Sequence, residues 1–442
     1  MQKIKVVSLG CAKNLVDSEV MTGLLRESGY EIVTGEKNAD ILLVNTCGFI
    51  DAAKEESVNA IMEAASYKKK GKCRALVVTG CLAQRYKDEL LAEIPEIDGL
   101  IGTGEIPHIA KVVGEAFKGK RPVRVATPTF IYDHELPRDL ATPAYSAYIK
   151  VAEGCNNRCA YCVIPAIRGD YRSRPMESIE AEARRLASQG VREVNLIAQD
   201  TTRYGLDLYG EYKLDKLLNR LAGVDGLAWL RVLYAYPTHF TDSLIETLAS
   251  QEKICRYLDI PLQHADDKIL QAMNRQGSSQ DILRLIDKLR KNILGLTLRT
   301  SFIVGFPGET EQQFQNLVDF VKTVRFDRVG VFTYSLEEGT AAADLPGQVP
   351  DEVKEARKDF LLNIQQDISL AKNKEKIGQT VSALIEGKES SSPEVYFGRT
   401  PADAPEVDGT VLVSGQGLSA GDIVSVKITH AYEYDLIGEV IR

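Results

Sequence analysis

Hydrophobic positions follow two alternating rhythms over the first 120 residues. Short apolar, β-branched runs at 4–8, 30–33, 40–45 and 74–79 predict strands, and 16–27, 52–68 and 84–93 carry apolar residues at helical spacing. Strands apolar throughout, alternating with helices, predict an α/β unit: a doubly wound parallel sheet over 1–120 covered on both faces. Residues 121–143 interrupt this with Pro122, Pro128, Pro137 and Pro143 and read as a linker.

The alternation resumes over 144–373. Six strands are predicted at 147–152, 193–198, 230–235, 257–262, 298–304 and 329–334, with helices at 179–188, 215–222, 243–250, 280–292 and 311–323. Six units are too few to close an eight-stranded barrel, so a partial (β/α)6 barrel is expected, with its site at the carboxyl ends of the strands. Val353, Ala356, Phe360, Ile364, Ile368 and Ala371 step along one amphipathic helix over 350–374. Over 374–442 five short strands (380–385, 395–399, 410–414, 423–430, 436–441) predict a small antiparallel, OB-like barrel.

Composition narrows the class. The 442 residues are 44% hydrophobic and 26% charged, which excludes disorder, collagen-like repeats and a coiled coil. No apolar run approaches the roughly 18 residues of a membrane span. The opening MQKIKVVSLG is followed by no cleavage site, so a cytoplasmic protein is expected. A net charge of −8 is a poor footprint for non-specific nucleic-acid binding. Eight cysteines are too few for a disulfide scaffold and are expected as thiols free to bind metal.

The run Gly154-Cys155-Asn-Asn-Arg-Cys159-Ala-Tyr161-Cys162 places three thiols on one loop just beyond the first barrel strand. Three thiolates can hold three irons of a 4Fe–4S cluster and leave the fourth open to a substrate or cofactor. The alternatives are an accidental loop or a zinc knuckle. The latter needs a fourth Cys or His nearby, and the nearest downstream histidine is His239. Cys11, Cys47 and Cys81 each lie just beyond the carboxyl end of a predicted parallel strand, on the edge where ligands gather. They predict a second cluster with an open iron; the alternative is three small buried hydrophobes. Cys73 and Cys255 precede their strands and read as structural. Gly114 to Lys120 mimics a phosphate loop but continues with Arg121 and is rejected. Gly102-Thr103-Gly104 lacks a third glycine, the five histidines show no zinc spacing, and Tyr204, Tyr209 and Tyr212 read as packing.

With these residues the chain resembles, over essentially its whole length, the radical S-adenosylmethionine (SAM) enzymes, and within them the methylthiotransferases. Ser8-Leu-Gly-Cys-Ala-Lys-Asn-Leu-Val-Asp-Ser-Glu19, Cys155 through Arg174, and Pro261-Leu-Gln-His-Ala265 are similar to the RimO-type branch acting on a ribosomal-protein aspartate. The tRNA-adenosine branch has a Gln-Met-Asn type sequence where Ala12-Lys13-Asn14 stands here. The resemblance implies two 4Fe–4S clusters, one on Cys155, Cys159 and Cys162 that makes a radical from SAM, and one on Cys11, Cys47 and Cys81 that carries sulfur. It implies Tyr161 against the adenine, Gly305 in Ile303-Val-Gly-Phe-Pro-Gly-Glu309 near the adenosine, and Gln199 and Asp200 at the SAM amino group, where the family has Gly-Gly-Glu.

The implied reaction is methylthiolation of an aspartate β-carbon in the twelfth small-subunit ribosomal protein. Two SAM are used per turnover, with an electron donor such as flavodoxin or ferredoxin and a sulfur donor. The implied C-terminal barrel is of the TRAM kind. Residues 374–442 hold six Lys/Arg against eleven Asp/Glu, a net of −5, which suits a basic protein better than tRNA phosphates. A tRNA adenosine methylthiotransferase and a non-enzymatic iron–sulfur carrier or RNA-binding adaptor remain the alternatives.

Overall fold

The computed structural model describes residues 1–390, 392 and 394–441; of the expected C-terminal span, Ser391, Pro393 and Arg442 lie outside the described residues. In the N-terminal region β1 (Lys3–Ser8), β2 (Glu31–Ile32), β3 (Ile41–Thr46), β4 (Ala75–Gly80), β5 (Gly99–Ile101) and β6 (Val123–Arg124) form one parallel sheet. Its order is β2-β1-β3-β4-β5-β6. β3 and β4 are buried at every position, as continuous apolar strands require. Ile41 and Leu43 face the helices Ala12–Glu27 and Ile109–Phe117, whereas Leu42 and Val44 face Asp51–Lys70 and Lys87–Glu93. The helix expected over 84–93 is two helices, Cys81–Arg85 and Lys87–Glu93, broken at Tyr86. Strand order reverses between β1 and β3, a switch point of the kind at whose carboxyl ends open α/β sheets bind ligands.

The proline-rich stretch is packed rather than free. Val123 and Arg124 extend the sheet, and Arg138 is buried between Glu19 (2.6 Å) and Glu182 (2.7 Å). Proline forbids a continued strand ladder but not burial.

Beyond it come β7 (Ser146–Lys150), a short hairpin of β8 (Ala152–Glu153) with β9 (Arg172–Ser173), then β10 (Glu193–Ile197), β11 (Trp229–Val232), β12 (Ile254–Asp259), β13 (Thr297–Val304) and β14 (Arg328–Thr333). β7 and β10–β14 pair in parallel in chain order, giving the six-stranded partial barrel. One apolar cluster runs unbroken from Val16 and Met21 through Tyr132 to Tyr148, Ile197, Trp229 and Tyr257, so N-terminal unit and barrel share a core. The helix Asp351–Lys374 packs along β14.

β15 (Thr380–Lys388), β16 (Val395–Arg399), β17 (Val411–Ser414), β18 (Ile423–Ala431) and β19 (Leu436–Val440) close into a barrel ordered β15-β16-β17-β19-β18. The expected antiparallel barrel contains one parallel pair, β17 with β19. It docks at the amino ends of the core strands. Glu193, opening β10, receives Arg399 (2.6 Å) and Arg231 (3.1 Å), Arg328 pairs with Asp403 (2.7 Å), and Tyr257 donates to Asp408 (2.6 Å). Part of the barrel's acidity is therefore consumed in docking. No helix among the described residues is long and apolar enough to cross a membrane.

Candidate active site between two cysteine trios

β1, β3 and β4 stand side by side, and a cysteine leaves the carboxyl end of each. Cys11 caps the helix Ala12–Glu27, Cys47 follows β3, and Cys81 opens the helix Cys81–Arg85. Gly80 makes the last turn at φ +95°, and a β-carbon there would lie 2.4 Å from Asn45 Oδ1, so glycine alone fits. Gly10 touches Cys47: a β-carbon would come within 3.1 Å of its Sγ. The thiols also feel one another. Burial pushes Cys81 up to about 12; Arg168 opposes this, while Cys11 and Cys47 add to it. Burial likewise raises Cys47, with Cys11 contributing. Burial pushes Cys11 up too, but Lys13 and Arg168 outweigh it and hold that thiol below its ordinary value. Cys11 is exposed, Cys47 half-buried and Cys81 buried.

The second trio needs only a loop. Cys155, Cys159 and Cys162 are half-buried between β8 and the helix Ile164–Arg168. The Asn157 amide donates to Cys155 Sγ (3.5 Å), and Arg275, stacked 4.3 Å over the Tyr236 ring, reaches Cys159 Sγ at 3.9 Å. Burial pushes Cys155 up to about 11 and raises Cys162 further, with the neighbouring thiols contributing to both. Such outer donors are what thiolate-bound clusters use to tune charge.

Among the described residues, no three His, Cys, Asp or Glu side chains converge tightly enough for a single metal ion. A mononuclear thiolate site needs sulfurs roughly 3.8 Å apart. A cubane binds each thiolate on a different iron and so spreads them more widely. Each trio, with its thiols within electrostatic range of one another and donors aimed at sulfur, offers the donor chemistry that a cluster uses.

The other expected residues cluster around the loop. Asn157 donates to Asp200 (3.0 Å), which joins loop and β10. Asp200 also accepts from Thr202 (2.8 Å) and the Arg203 amide (3.1 Å), so its carboxylate is a structural hub at the barrel rim; Gln199 is half-buried beside it. Tyr161 packs against the apolar group of Phe306, Met273 and Tyr334. Gly305 donates to Glu309 (2.6 Å), and its missing β-carbon makes room for Lys354, whose Cγ would be 2.3 Å away. Cys73 and Cys255 are buried away from both trios, Tyr204 is core, and Tyr212 stacks on His239.

The sequence reading missed a buried ionic seam between the trios. Arg168, one helix beyond the loop cysteines, bonds Glu153 and Asp17 at 3.0 Å each and reaches Cys81 Sγ at 3.6 Å. Lys150 pairs with Asp17 (2.5 Å) and with Glu153. Burial opposes charge on Glu153, but Arg168 and Lys150 outweigh it and hold that carboxyl far below the usual carboxylate range. The available signal was Lys150 and Glu153, two opposite charges three residues apart at the carboxyl end of the first barrel strand, since buried charges are paired or functional.

Family models match three segments of the chain. Residues 3–102 match an uncharacterized protein family (UPF0004), 149–321 the radical SAM superfamily and 377–441 the TRAM domain. Solved structures share the fold: the radical SAM methyltransferase TsrM from Kitasatospora setae has a TM-score of 0.55 at 18% identity, covering 76% of this chain and 73% of that one. The cobalamin-dependent radical SAM enzyme OxsB has 0.51 at 13%, covering 83% and 56%. Among curated relatives, the ribosomal protein uS12 methylthiotransferase RimO of Desulforamulus reducens is 57% identical over 100% of both chains. That of Pelotomaculum thermopropionicum is 56% identical over 99% of each. At that identity along its full length, the chain belongs to the RimO family of ribosomal protein uS12 methylthiotransferases, enzymes built on a radical SAM core that implies a 4Fe–4S cluster and SAM.

Proposed function

We propose that this chain attaches a methylthio group to the β-carbon of an aspartate in ribosomal protein uS12, in the cytoplasm, with two SAM per turnover, one as methyl donor and one as radical source. Full-length identity to uS12 methylthiotransferases supports the substrate. The single observation that carries the chemistry is the Arg168 seam, which links a loop trio and a sheet trio across one buried boundary. In this reading Cys155, Cys159 and Cys162 hold one 4Fe–4S cluster, and Cys11, Cys47 and Cys81 hold a second.

When bound, these groups and SAM supply the electron, the carbon radical and the sulfur that a C–H bond without an acidic proton demands. The protein supplies placement. Asp17, Lys150, Glu153 and Arg168 fix the separation of the trios and keep water from the boundary. Arg275 directs its guanidinium at Cys159. In this reading Tyr161 within the loop and Gln199, Asp200 and Gly305 at the barrel rim form the SAM-facing group. Reduced flavodoxin or ferredoxin and a sulfur donor serve as partners. Glu394, Glu406, Asp422, Asp435 and Glu439 stay exposed on the C-terminal barrel and suit a basic protein.

Two assays test the reading. Reconstituted protein given SAM and dithionite should release 5′-deoxyadenosine, and none would overturn it. In cells lacking the gene, mass spectrometry should find the methylthio mass missing from uS12; its loss from tRNA alone would assign the tRNA branch instead.

A further inference from the structure

Lys13 follows Cys11 by two residues, and its side chain is buried, only 4% exposed. Buried ammonium groups are normally held by a carboxylate. Here, among the described residues, no carboxylate lies within ion-pair distance of Lys13, and its nitrogen sits 3.2 Å over the Tyr234 ring. The Cys11 thiol faces it, and the other charges nearby are already matched. Arg168 and Lys150 share Asp17 and Glu153. Asp259 is taken by Arg299 (3.1 Å) and the Tyr234 backbone amide (3.3 Å), and Glu406, which faces Tyr234, is exposed on the C-terminal barrel.

Tyr234 adopts φ +61°, a left-handed conformation that costs a bulky residue energy and persists only where its surroundings hold it. That turn sets an aromatic face beneath Lys13, while an ammonium has three donors and one ring satisfies only one direction. The result is half of an anion site, lying between Cys11 on one side and the carboxyl end of β11 on the other. An aspartate with its β-carbon between the two trios carries its carboxylate one bond away from the reacting carbon.

We infer that the Lys13 ammonium binds the carboxylate of the aspartate being modified and so selects an acidic side chain as substrate. This rests on the function proposed above. Lys13 acts by charge-assisted hydrogen bonding and Tyr234 holds it in place; no covalent step is involved.

The test measures binding of fluorescently labelled uS12, and of uS12 with the target aspartate changed to asparagine, to full-length reconstituted protein. Wild type should prefer the aspartate form by roughly 10- to 100-fold, the span of one charge-assisted hydrogen bond. Lys13→Gln should bring that preference close to unity, and Lys13→Arg should keep much of it. An unchanged preference in Lys13→Gln overturns the inference. Less iron per chain in Lys13→Gln than in wild type also overturns it, because Lys13 would then serve the cluster. A methylthio mass on uS12 from wild type, alongside either result, leaves the proposed function standing; its absence removes that function as well.

Discussion

Cys155, Cys159 and Cys162 lie within eight consecutive residues, whereas Cys11, Cys47 and Cys81 are 36 and 34 residues apart and meet only when β1, β3 and β4 stand in register. The loop trio depends on local chain geometry. The sheet trio depends on a whole domain: the parallel pairing, the point where strand order reverses, and Gly10 and Gly80 fitted against Cys47 and Asn45. The same donor set is thus robust in one place and conditional in the other. Between them the seam of Asp17, Lys150, Glu153 and Arg168 makes each trio's position depend on the other domain.

The sharpest way to separate the trios is to remove one cysteine from each. Cys155→Ala should reduce SAM cleavage to background, read as 5′-deoxyadenosine by chromatography. Cys47→Ala should retain SAM cleavage but lose the methylthio mass on the protein substrate; retained insertion would break the assignment of the sheet trio.

The seam is tested by Arg168→Met. That change strands Asp17 and Glu153 in the interior with Lys150 alone, and should cost about 3–5 kcal/mol in a denaturant titration. A loss under about 1 kcal/mol would mean that the domains dock mainly through the shared apolar core.

Gly80→Ala probes how conditional the sheet trio is. It forces a side chain into a positive-φ turn and into contact with backbone at Thr46, and should cost about 2–3 kcal/mol. Iron loss should be confined to the sheet trio, with SAM cleavage kept. Equal loss from both trios would erase the contrast.

The smallest effect concerns the far end of the barrel. Glu193 is buried, which pushes its carboxyl up, but Arg231 and Arg399 outweigh this and bring it down to about 2. A carboxyl depressed from about 4.3 contributes stability that is fully present above that pH and is lost as the pH falls toward 2. About 1.5–2 kcal/mol should disappear between pH 6 and pH 3. Glu193→Gln should flatten that slope while leaving the trios loaded.

The contrast also explains what the sequence revealed. The loop trio was legible from spacing alone. The sheet trio was legible because each cysteine follows a continuous apolar run, and such runs pair in parallel with their carboxyl ends on one edge. β5 escaped because Gly99–Ile101 is only three residues long, and β6 because Val123–Arg124 sits among prolines. The seam escaped for another reason: Asp17 lies 133 positions from Lys150 and 151 from Arg168, and no local pattern announces an ion pair made across a domain boundary. No local sequence pattern marks Lys13 as buried over an aromatic ring without a carboxylate partner. The barrel's net charge was read correctly, but Asp403 and Asp408 are turned inward onto Arg328, Arg299 and Tyr257.

The most direct measurement is iron and sulfide content with Mössbauer spectra on protein purified and reconstituted without oxygen. Two 4Fe–4S clusters give about eight irons per chain, falling to about four when either trio is replaced by alanine. Wild-type protein that saturates at about four irons, all of them lost with Cys155, Cys159 and Cys162, would contradict the account.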